Sequence, residues 1–151
     1  MIYCFGYQTK IGKIYISAEN NFVVEISFLK PEYEEKETSL IKETYGQLQE
    51  YFEGKRKSFN VPIKLNGSEF QKKVWTELLK IPYGSTVSYK DIAKLVGNEN
   101  ASRAVGMANN KNKIMFIIPC HRVIGKNGSL TGYAGGLDIK KQLLELEIKN
   151  K

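Results

Sequence analysis

The chain has 151 residues and a formal net charge of +7. Its hydrophobic fraction of 42% argues against a disordered chain, and its length suits one compact domain or two small ones. No apolar run approaches the about 20 residues that span a bilayer, and the N-terminus lacks signal-peptide features, so we expect a soluble cytoplasmic protein. Two cysteines and one histidine provide neither a disulfide framework nor a Cys/His zinc site, and we predict no metal.

The N-terminal part reads as a small sheet covered by a helix. Apolar residues alternate on both sides of an Asn20-Asn21 turn: Ile14, Ile16 and Ala18 before it, Val24, Ile26 and Phe28 after it. Such alternation predicts strands with one buried face. Apolar residues then recur at helical spacing until Gly54: Ile41, Tyr45, Leu48 and Phe52. Residues 55–67 have no sustained apolar period, which is typical of a linker. We therefore divide the chain into an N-terminal domain, 1–62, and a C-terminal domain, 68–151.

The C-terminal part reads as mostly helical. Ser68 to Gln71 have the form of a capping box and open a helix that Pro82 ends. Ser88 can cap a second helix that runs to Gly97, and a third follows from Ala101 to about Asn109. Two short helices joined by a short turn have the spacing of a helix-turn-helix, although ordinary helical corners share that spacing.

Charge is unevenly distributed between the two parts. Residues 32–53 carry seven acids against two lysines, whereas residues 100–137 carry five basic residues and no acid. The basic part is where a polyanion would dock, although charge alone leaves nucleic-acid binding and mere solubility equally open.

Nucleophile chemistry is indicated near the end of the chain. We predict a buried strand, 115–118, that leads to Cys120, then a glycine-rich stretch and a last helix from Asp138. That helix is expected to turn Ile139, Leu143 and Leu146 inward, with Glu147 at the edge of the stripe. Cys120, His121 and Glu147 form the one Cys, His and acid set suited to a nucleophile, a relay and an orienting group. A buried, inert Cys120 is the alternative.

The expected backbone geometry limits how Cys120 is activated. In extended chain, neighbouring side chains point to opposite sides, so Cys120 and His121 would not touch directly. A bridging water could connect them, with Glu147 fixing the imidazole tautomer. A free thiol with a pKa near 8.5 is only a few per cent ionised at neutral pH, so we expect the site to raise the thiolate fraction.

Several blocks together resemble the O6-alkylguanine-DNA alkyltransferases. Residues 118–124, Ile-Pro-Cys-His-Arg-Val-Ile, resemble the active-site signature of that family, and further blocks match in order. These blocks are residues 81–84, 87–89, 103–106, 132–136 and 143–147. The resemblance is strongest from residue 68 to residue 147, and Tyr51 to Gly54 also match.

The resemblance implies a fold and an activity. The fold is α+β, with a small N-terminal ribonuclease H-like α/β domain and a helical C-terminal domain that contains a winged helix-turn-helix. The activity is irreversible, stoichiometric transfer of the alkyl group of O6-alkylguanine, and of O4-alkylthymine as a second substrate, to Cys120. The partner is double-stranded DNA that carries the lesion, bound by a monomer with or without cooperativity along the DNA, and no cofactor is needed.

The resemblance also implies roles for single residues. Cys120 is the nucleophile, His121 a water-mediated relay, and Glu147 the group that orients it. Tyr89 donates to guanine N3, Asn112 supports the site, and the substrate pocket is lined by Val123, Tyr133 and Ala134. Arg103 intercalates into the stack that the flipped base leaves, and its helix contacts the minor groove through small residues: Ala101, Ser102, Ala104 and Gly106. Arg122 is expected to be structural, anchoring its turn.

The chain departs from the family pattern after Asn112, and three other functions compete with alkyl transfer. Lys113 and Met115 stand where many members have prolines, which puts the width of the pocket in doubt. A non-enzymatic alkyltransferase-like protein would bind the lesion without a nucleophile, and Cys120 argues against it. A winged-helix regulator would not need the Pro-Cys-His-Arg segment, and a cysteine hydrolase would need an oxyanion hole and would turn over repeatedly.

Overall fold

The computed structural model describes all 151 residues, which divide into two compact units. The first comprises Met1–Asn66 with Lys113–Met115, and the second comprises Gly67–Asn112 with Phe116–Lys151. The predicted α+β class, with an N-terminal sheet followed by a helical C-terminal part, is confirmed. All of the helices are too short or too polar to span a lipid bilayer.

A four-stranded sheet and one helix form the first unit. The strands are β1 (Ile2–Thr9), β2 (Gly12–Glu19), β3 (Phe22–Ser27) and β4 (Glu34–Glu35), in the order β3-β2-β1-β4. The pairs β1–β2 and β2–β3 are antiparallel, whereas β4 runs parallel to β1. Helix α1 (Ser39–Phe52) begins at its cap Thr38 and covers the sheet with a buried face that includes Ile41, Leu48 and Phe52, as the periodicity predicts.

A three-residue segment from late in the chain completes this unit. Lys113–Met115 belongs to the first unit, where Ile114 forms a parallel bridge with Ile26 of β3. The amide of Ile26 donates to the carbonyl of Lys113 at 2.8 Å, and the amide of Met115 donates to the carbonyl of Ile26 at 3.3 Å. Both Ile26 and Ile114 are buried, so the segment adds apolar contact as well as hydrogen bonds to the edge at β3.

Four helices dominate the second unit: α2 (Glu69–Leu78), α3 (Tyr89–Leu95), α4 (Ser102–Asn110) and α5 (Leu137–Lys149). The capping box predicted at Ser68 is present, and Ser88 forms a second one with Asp91 at the start of α3. Each box satisfies backbone N–H groups that the first helical turn leaves without a partner. Trp75 fixes α2 against α4, because its indole N–H donates to the carbonyl of Ala108 at 2.9 Å.

The parallel pair β5 (Val87–Ser88) and β6 (Val123–Ile124) connects two parts of the second unit. Val87 pairs with Val123, and Ser88 pairs with Ile124. The start of α3 and the chain just after Cys120 are thereby held side by side.

Candidate active site

The prediction of a strand over residues 115–118 is wrong. Beyond the bridge at Ile114 the chain turns, Phe116 adopts a left-handed φ of 72°, and Cys120–Arg122 form a single 3-10 turn. A run of apolar residues does not distinguish a buried strand from a buried turn. The premise that Cys120 and His121 lie on extended backbone is therefore also wrong.

Two asparagines hold the chain on either side of the Cys120 sulfur. Asn112 Nδ2 donates to the carbonyl of Ile118 at 2.8 Å, and Asn109 Nδ2 donates to the carbonyl of Cys120 at 3.2 Å. Asn112 was predicted to support the site, whereas Asn109, which is buried at the end of α4, was not. An asparagine at a helix terminus is too common in sequences to have suggested this contact.

His121 and Arg122 converge on one buried carboxylate. His121 Nε2 lies 2.6 Å from Glu147 Oε2, and the Glu147 Oε1 atom accepts from the amide of Gly84 at 3.0 Å. Arg122 donates to the same carboxylate and, through Nη1, to the carbonyl of Ile81 at 2.7 Å. Glu147 lies fully buried near the C-terminal end of α5 rather than at the edge of an apolar stripe, because three polar partners replace the apolar contacts expected there.

This arrangement sets the tautomer of His121. A carboxylate paired with a guanidinium is ionised and only accepts, so the hydrogen between His121 and Glu147 belongs to Nε2. Burial lowers the pKa of His121, an effect that outweighs the opposing contact with Glu147. The imidazole is therefore neutral near neutral pH, and its second nitrogen, Nδ1, is the basic atom.

The Cys120 thiol is protonated in this state. It is only 2% exposed, and burial raises its pKa to about 11, against smaller lowering effects of a hydrogen bond with Asn112 and of the charge of Lys140. The expectation that the resting site raises the thiolate fraction is thus wrong, because desolvation of the anion exceeds those two effects. Any chemistry at this sulfur requires that its proton be removed during the reaction.

The glycine-rich segment 125–136, here called the lid, closes over the site. The hydroxyl of Tyr89 donates to the carbonyl of Thr131 at 2.8 Å, which ties α3 to the lid. Tyr133 is buried in the lid, and burial raises its pKa, with a further contribution from Cys120. Val123 is buried beside the 3-10 turn, whereas Ala134 is exposed.

Four of the predicted DNA-contacting and pocket residues line one open depression of about 550 Å³. These are Tyr89, Ser102, Arg103 and Gly106, which share its wall with Met107, Asn110, Thr131 and Gly132. Ala101 and Ala104 lie on α4 or at its start but do not line it. Arg103 is exposed, and Gly106 is packed so that a Cβ atom there would lie 3.8 Å from the Tyr89 ring. The depression joins the exposed face of α4 to the lid.

Neither unit presents a group of three or more His, Cys, Asp or Glu side chains that could hold a metal ion. Both cysteines are free and buried. The site presents a buried thiol and a neutral imidazole that a carboxylate orients.

Family profiles match both units. The family described as "6-O-methylguanine DNA methyltransferase, ribonuclease-like domain" matches residues 2–65, and "6-O-methylguanine DNA methyltransferase, DNA binding domain" matches residues 69–149.

Individual relatives cover nearly the whole chain. A Methanosarcina acetivorans protein named methylated-DNA–protein-cysteine methyltransferase is 47% identical over 148 residues, which span 93% of this chain and 95% of the relative. A constitutive Bacillus subtilis protein of the same name is 44% identical over 151 residues, 93% of this chain and 92% of the relative. The crystal structure of Mycobacterium tuberculosis OGT in complex with DNA has a TM-score of 0.93 at 38% identity, covering 98% of this chain and 94% of that one.

Proposed function

The chain belongs to the 6-O-methylguanine DNA methyltransferase family, and we propose that it repairs DNA by moving the alkyl group of an O6-alkylguanine onto its own Cys120. The observation that carries this proposal is the buried free thiol next to an imidazole whose tautomer Glu147 sets. The activity is that of a methylated-DNA–protein-cysteine methyltransferase, in which the acceptor is the protein itself.

The transfer balances without a cofactor. The Cys120 sulfur forms a bond to the alkyl carbon as the bond from that carbon to O6 breaks, and the electron pair of the broken bond passes into the guanine ring system. The thiol proton passes, through a water, to His121 Nδ1. The guanine anion takes a proton at N1 from water, and the imidazolium returns its proton to solvent, so the one proton lost by sulfur equals the one gained by the base. With a thiol pKa of about 11, only about one molecule in ten thousand carries a thiolate at neutral pH, so this proton transfer must accompany the reaction.

Residues around the sulfur have proposed roles in holding the base. Tyr89 donates to guanine N3 once the base enters, and Asn112 supports the backbone that presents Cys120. Val123, Tyr133 and Ala134 line the pocket, with the Ala134 amide directed to O6. The position of Tyr89 in the wall of the depression and its contact with the lid support this assignment.

Base access requires that the guanine leave the duplex, because its O6 substituent lies in the major groove edge of a stacked pair. We assign α3 and α4 as a winged helix-turn-helix whose second helix enters the minor groove. Arg103 would fill the space of the flipped base, and small residues on α4 would allow close approach to the backbone: Ala101, Ser102, Ala104 and Gly106. The exposure of Arg103 beside the depression supports this role.

The product explains why one chain repairs one lesion. A thioether on Cys120 has no leaving group that water or His121 could displace, so nothing regenerates the thiol. A hydrolase would instead need an oxyanion hole and would form many products per chain. The chain acts as a monomer in this proposal, and its two free cysteines fit a reducing compartment such as the cytoplasm.

Intact-protein mass after incubation with duplex DNA that carries O6-methylguanine tests the proposal. One methyl group per chain, mapped to the peptide that contains Cys120, is expected. Cys120→Ala should gain no mass, whereas Cys4→Ala, which removes the other buried thiol, should gain the same methyl as the original chain. A duplex with O4-methylthymine tests the second substrate. An unchanged mass with excess O6-methylguanine duplex would refute the proposed function.

A further inference from the structure

Met107 of α4 is an apolar side chain that is 65% exposed. A single exposed apolar residue is common on protein surfaces and by itself indicates nothing. Met107, however, lines the open depression of about 550 Å³ that also contains Arg103. The apolar residues with which α4 packs lie elsewhere on the helix, at Val105 and Ala108, and both are buried. Met107 therefore lies on the face of α4 that the fold leaves free.

The spacing of Met107 from Arg103 places both side chains on one face of the helix. Residues four apart in a helix are neighbours on its surface, separated by about 6 Å along its axis. Asn110 continues this face about one turn further, and no side chain that lines the depression is acidic. The face thus combines a cation, an uncharged amide and an apolar group, which suits a groove with phosphates at its edges and base edges at its floor.

The glycine beside Met107 leaves space on the same face. A Cβ atom at Gly106 would make only ordinary contacts, the nearest with the Tyr89 ring at 3.8 Å, so the fold does not require glycine there. Glycine nevertheless destabilises the interior of a helix relative to alanine. A small residue next to a long apolar one fits a partner that approaches the helix backbone at Gly106 and is contacted by the Met107 side chain.

The two kinds of base pair differ at the floor of the minor groove. Both present acceptor atoms there, and only a G·C pair adds a donor, the exocyclic amino group of guanine. An apolar side chain pressed against that amino group removes its water, and a thioether sulfur is too weak an acceptor to replace the water. Proteins that bind the minor groove insert apolar side chains, methionine among them, between base steps. A methionine in this groove is therefore better accommodated beside an A·T pair than beside a G·C pair.

We infer that Met107 is an apolar wedge that enters the minor groove beside Arg103 and makes lesion binding depend on the flanking base pairs, with A·T favoured over G·C. This inference rests on the proposed function, in which α4 enters the minor groove. It goes beyond that function because it assigns a preference for flanking sequence to one side chain that takes no part in the transfer to Cys120.

Three lesion duplexes that differ only in their flanking pairs test the inference. The pairs on both sides of O6-methylguanine are A·T, G·C or inosine·C, and the last is a G·C pair without the amino group. Fluorescence anisotropy gives the affinities, in chains that carry Cys120→Ala so that no methyl is transferred during the measurement. With Met107 present, the A·T and inosine·C duplexes should bind about fivefold more tightly than the G·C duplex. The same duplexes are used for every chain, so differences in their own stability cancel from the comparison.

Four substitutions separate the wedge from other roles of this surface. Met107→Ala removes the wedge, so the affinity ratio should fall below about two. Met107→Leu keeps an apolar side chain of similar size and should keep the preference. Met107→Gln keeps the length, but its carbonyl can accept from the guanine amino group, so it should lose the preference. Leu29→Ala removes an exposed apolar side chain of the first unit and should bind like the original chain.

A purely structural role of Met107 would appear in the stability of the chain. Because the side chain is largely exposed, the urea midpoint of Met107→Ala should equal that of the original chain. A lowered midpoint with an unchanged flanking ratio would overturn the inference.

Two further outcomes would also overturn it. One is an equal loss of affinity for all three duplexes in Met107→Ala, which would place Met107 against the sugar-phosphate backbone. The other is unchanged DNA binding with altered self-association on light scattering, which would make this surface a contact between copies of the chain. If the original chain gains no methyl from the lesion duplex, the proposed function fails, whereas the flanking ratio measured by anisotropy still decides the role of Met107.

Discussion

Arg122 donates two hydrogen bonds to Glu147, from Nε to Oε1 at 2.8 Å and from Nη2 to Oε2 at 3.0 Å, and both side chains are almost completely buried. Paired bonds of this kind between a guanidinium and a carboxylate are strong and geometrically specific. Because the same carboxylate accepts from His121 and from the amide of Gly84, its position fixes three neighbours at once. The prediction that Arg122 anchors its turn is consistent with these contacts, which also link it to the imidazole.

Arg122→Met should therefore destabilise the second unit strongly. The substitution leaves the Glu147 carboxylate buried without its guanidinium, which typically costs about 3–5 kcal/mol of unfolding free energy. Urea unfolding measures the loss. Arg56→Met is the matched control, because Arg56 pairs with Glu50 at 2.8 Å on an exposed surface of the first unit, where such a pair contributes less than about 1 kcal/mol. Equal losses in the two variants would contradict this assignment.

Transfer should slow in acid. Burial lowers the pKa of His121 below the ordinary 6.5, so the imidazole stays neutral and able to accept a proton at neutral pH. As the pH falls through the lowered pKa, Nδ1 becomes protonated and the rate falls. The same group contributes stability that is fully present above 6.5 and is lost as the pH falls, because the unfolded chain binds the proton more readily. Single-turnover rates and urea unfolding from about pH 5 to about pH 8 check both trends. A rate that rises towards acid would exclude His121 as the base.

Tyr89→Phe should lower the transfer rate by about tenfold, because it removes the donor proposed for guanine N3. The lost bond to Thr131 is exposed to solvent, so the unfolding free energy should change by no more than about 1 kcal/mol. Tyr33→Phe, at an exposed position of the first unit, provides the control. Indistinguishable single-turnover rates for the two variants would remove Tyr89 from the proposed mechanism.

Arg103→Ala should weaken binding of lesion-containing duplex by roughly tenfold at constant salt and should slow transfer. The substitution should leave the rate of iodoacetamide alkylation of Cys120 unchanged in the absence of DNA, because Arg103 is exposed on α4. Fluorescence anisotropy with labelled duplex gives the affinity, and Arg56→Ala controls for the loss of one positive charge. Unaltered affinity in Arg103→Ala would argue against intercalation.

Local signals in the sequence predicted the regular elements well. The capping box at Ser68 and the cap at Ser88 are seen as predicted, because both depend on residues within three positions of each other. The apolar run 115–118 was wrongly predicted to be a strand. The turn found there depends on the left-handed φ of Phe116 and on the pairing of Ile114 with a strand far away in sequence. Neither feature produces a periodic pattern of apolar residues in the sequence.

The contact between His121 and Glu147 was predictable from the sequence, whereas the side chains that hold the backbone of the site were not. Cys120, His121 and Glu147 stand out because few residue types can act as nucleophile, base and orienting acid. Lys140 and Asn109 do not stand out, because their partners are main-chain carbonyls, which every residue provides. On α5 the helical period placed Leu143 inward correctly but could not indicate that a lysine shares its buried face.

The bridge between Ile26 and Ile114 has a consequence for attempts to divide the molecule. A gene cut near residue 66 would yield a C-terminal fragment in which an apolar segment is cut off from its strand, between Asn112 and the turn that presents Cys120. Such a fragment would keep Cys120, His121 and Glu147 but would lack the strand with which the segment before them pairs. The N-terminal half is thus expected to hold residues 113–115 in place by strand pairing. Co-expression of the two fragments should restore that pairing.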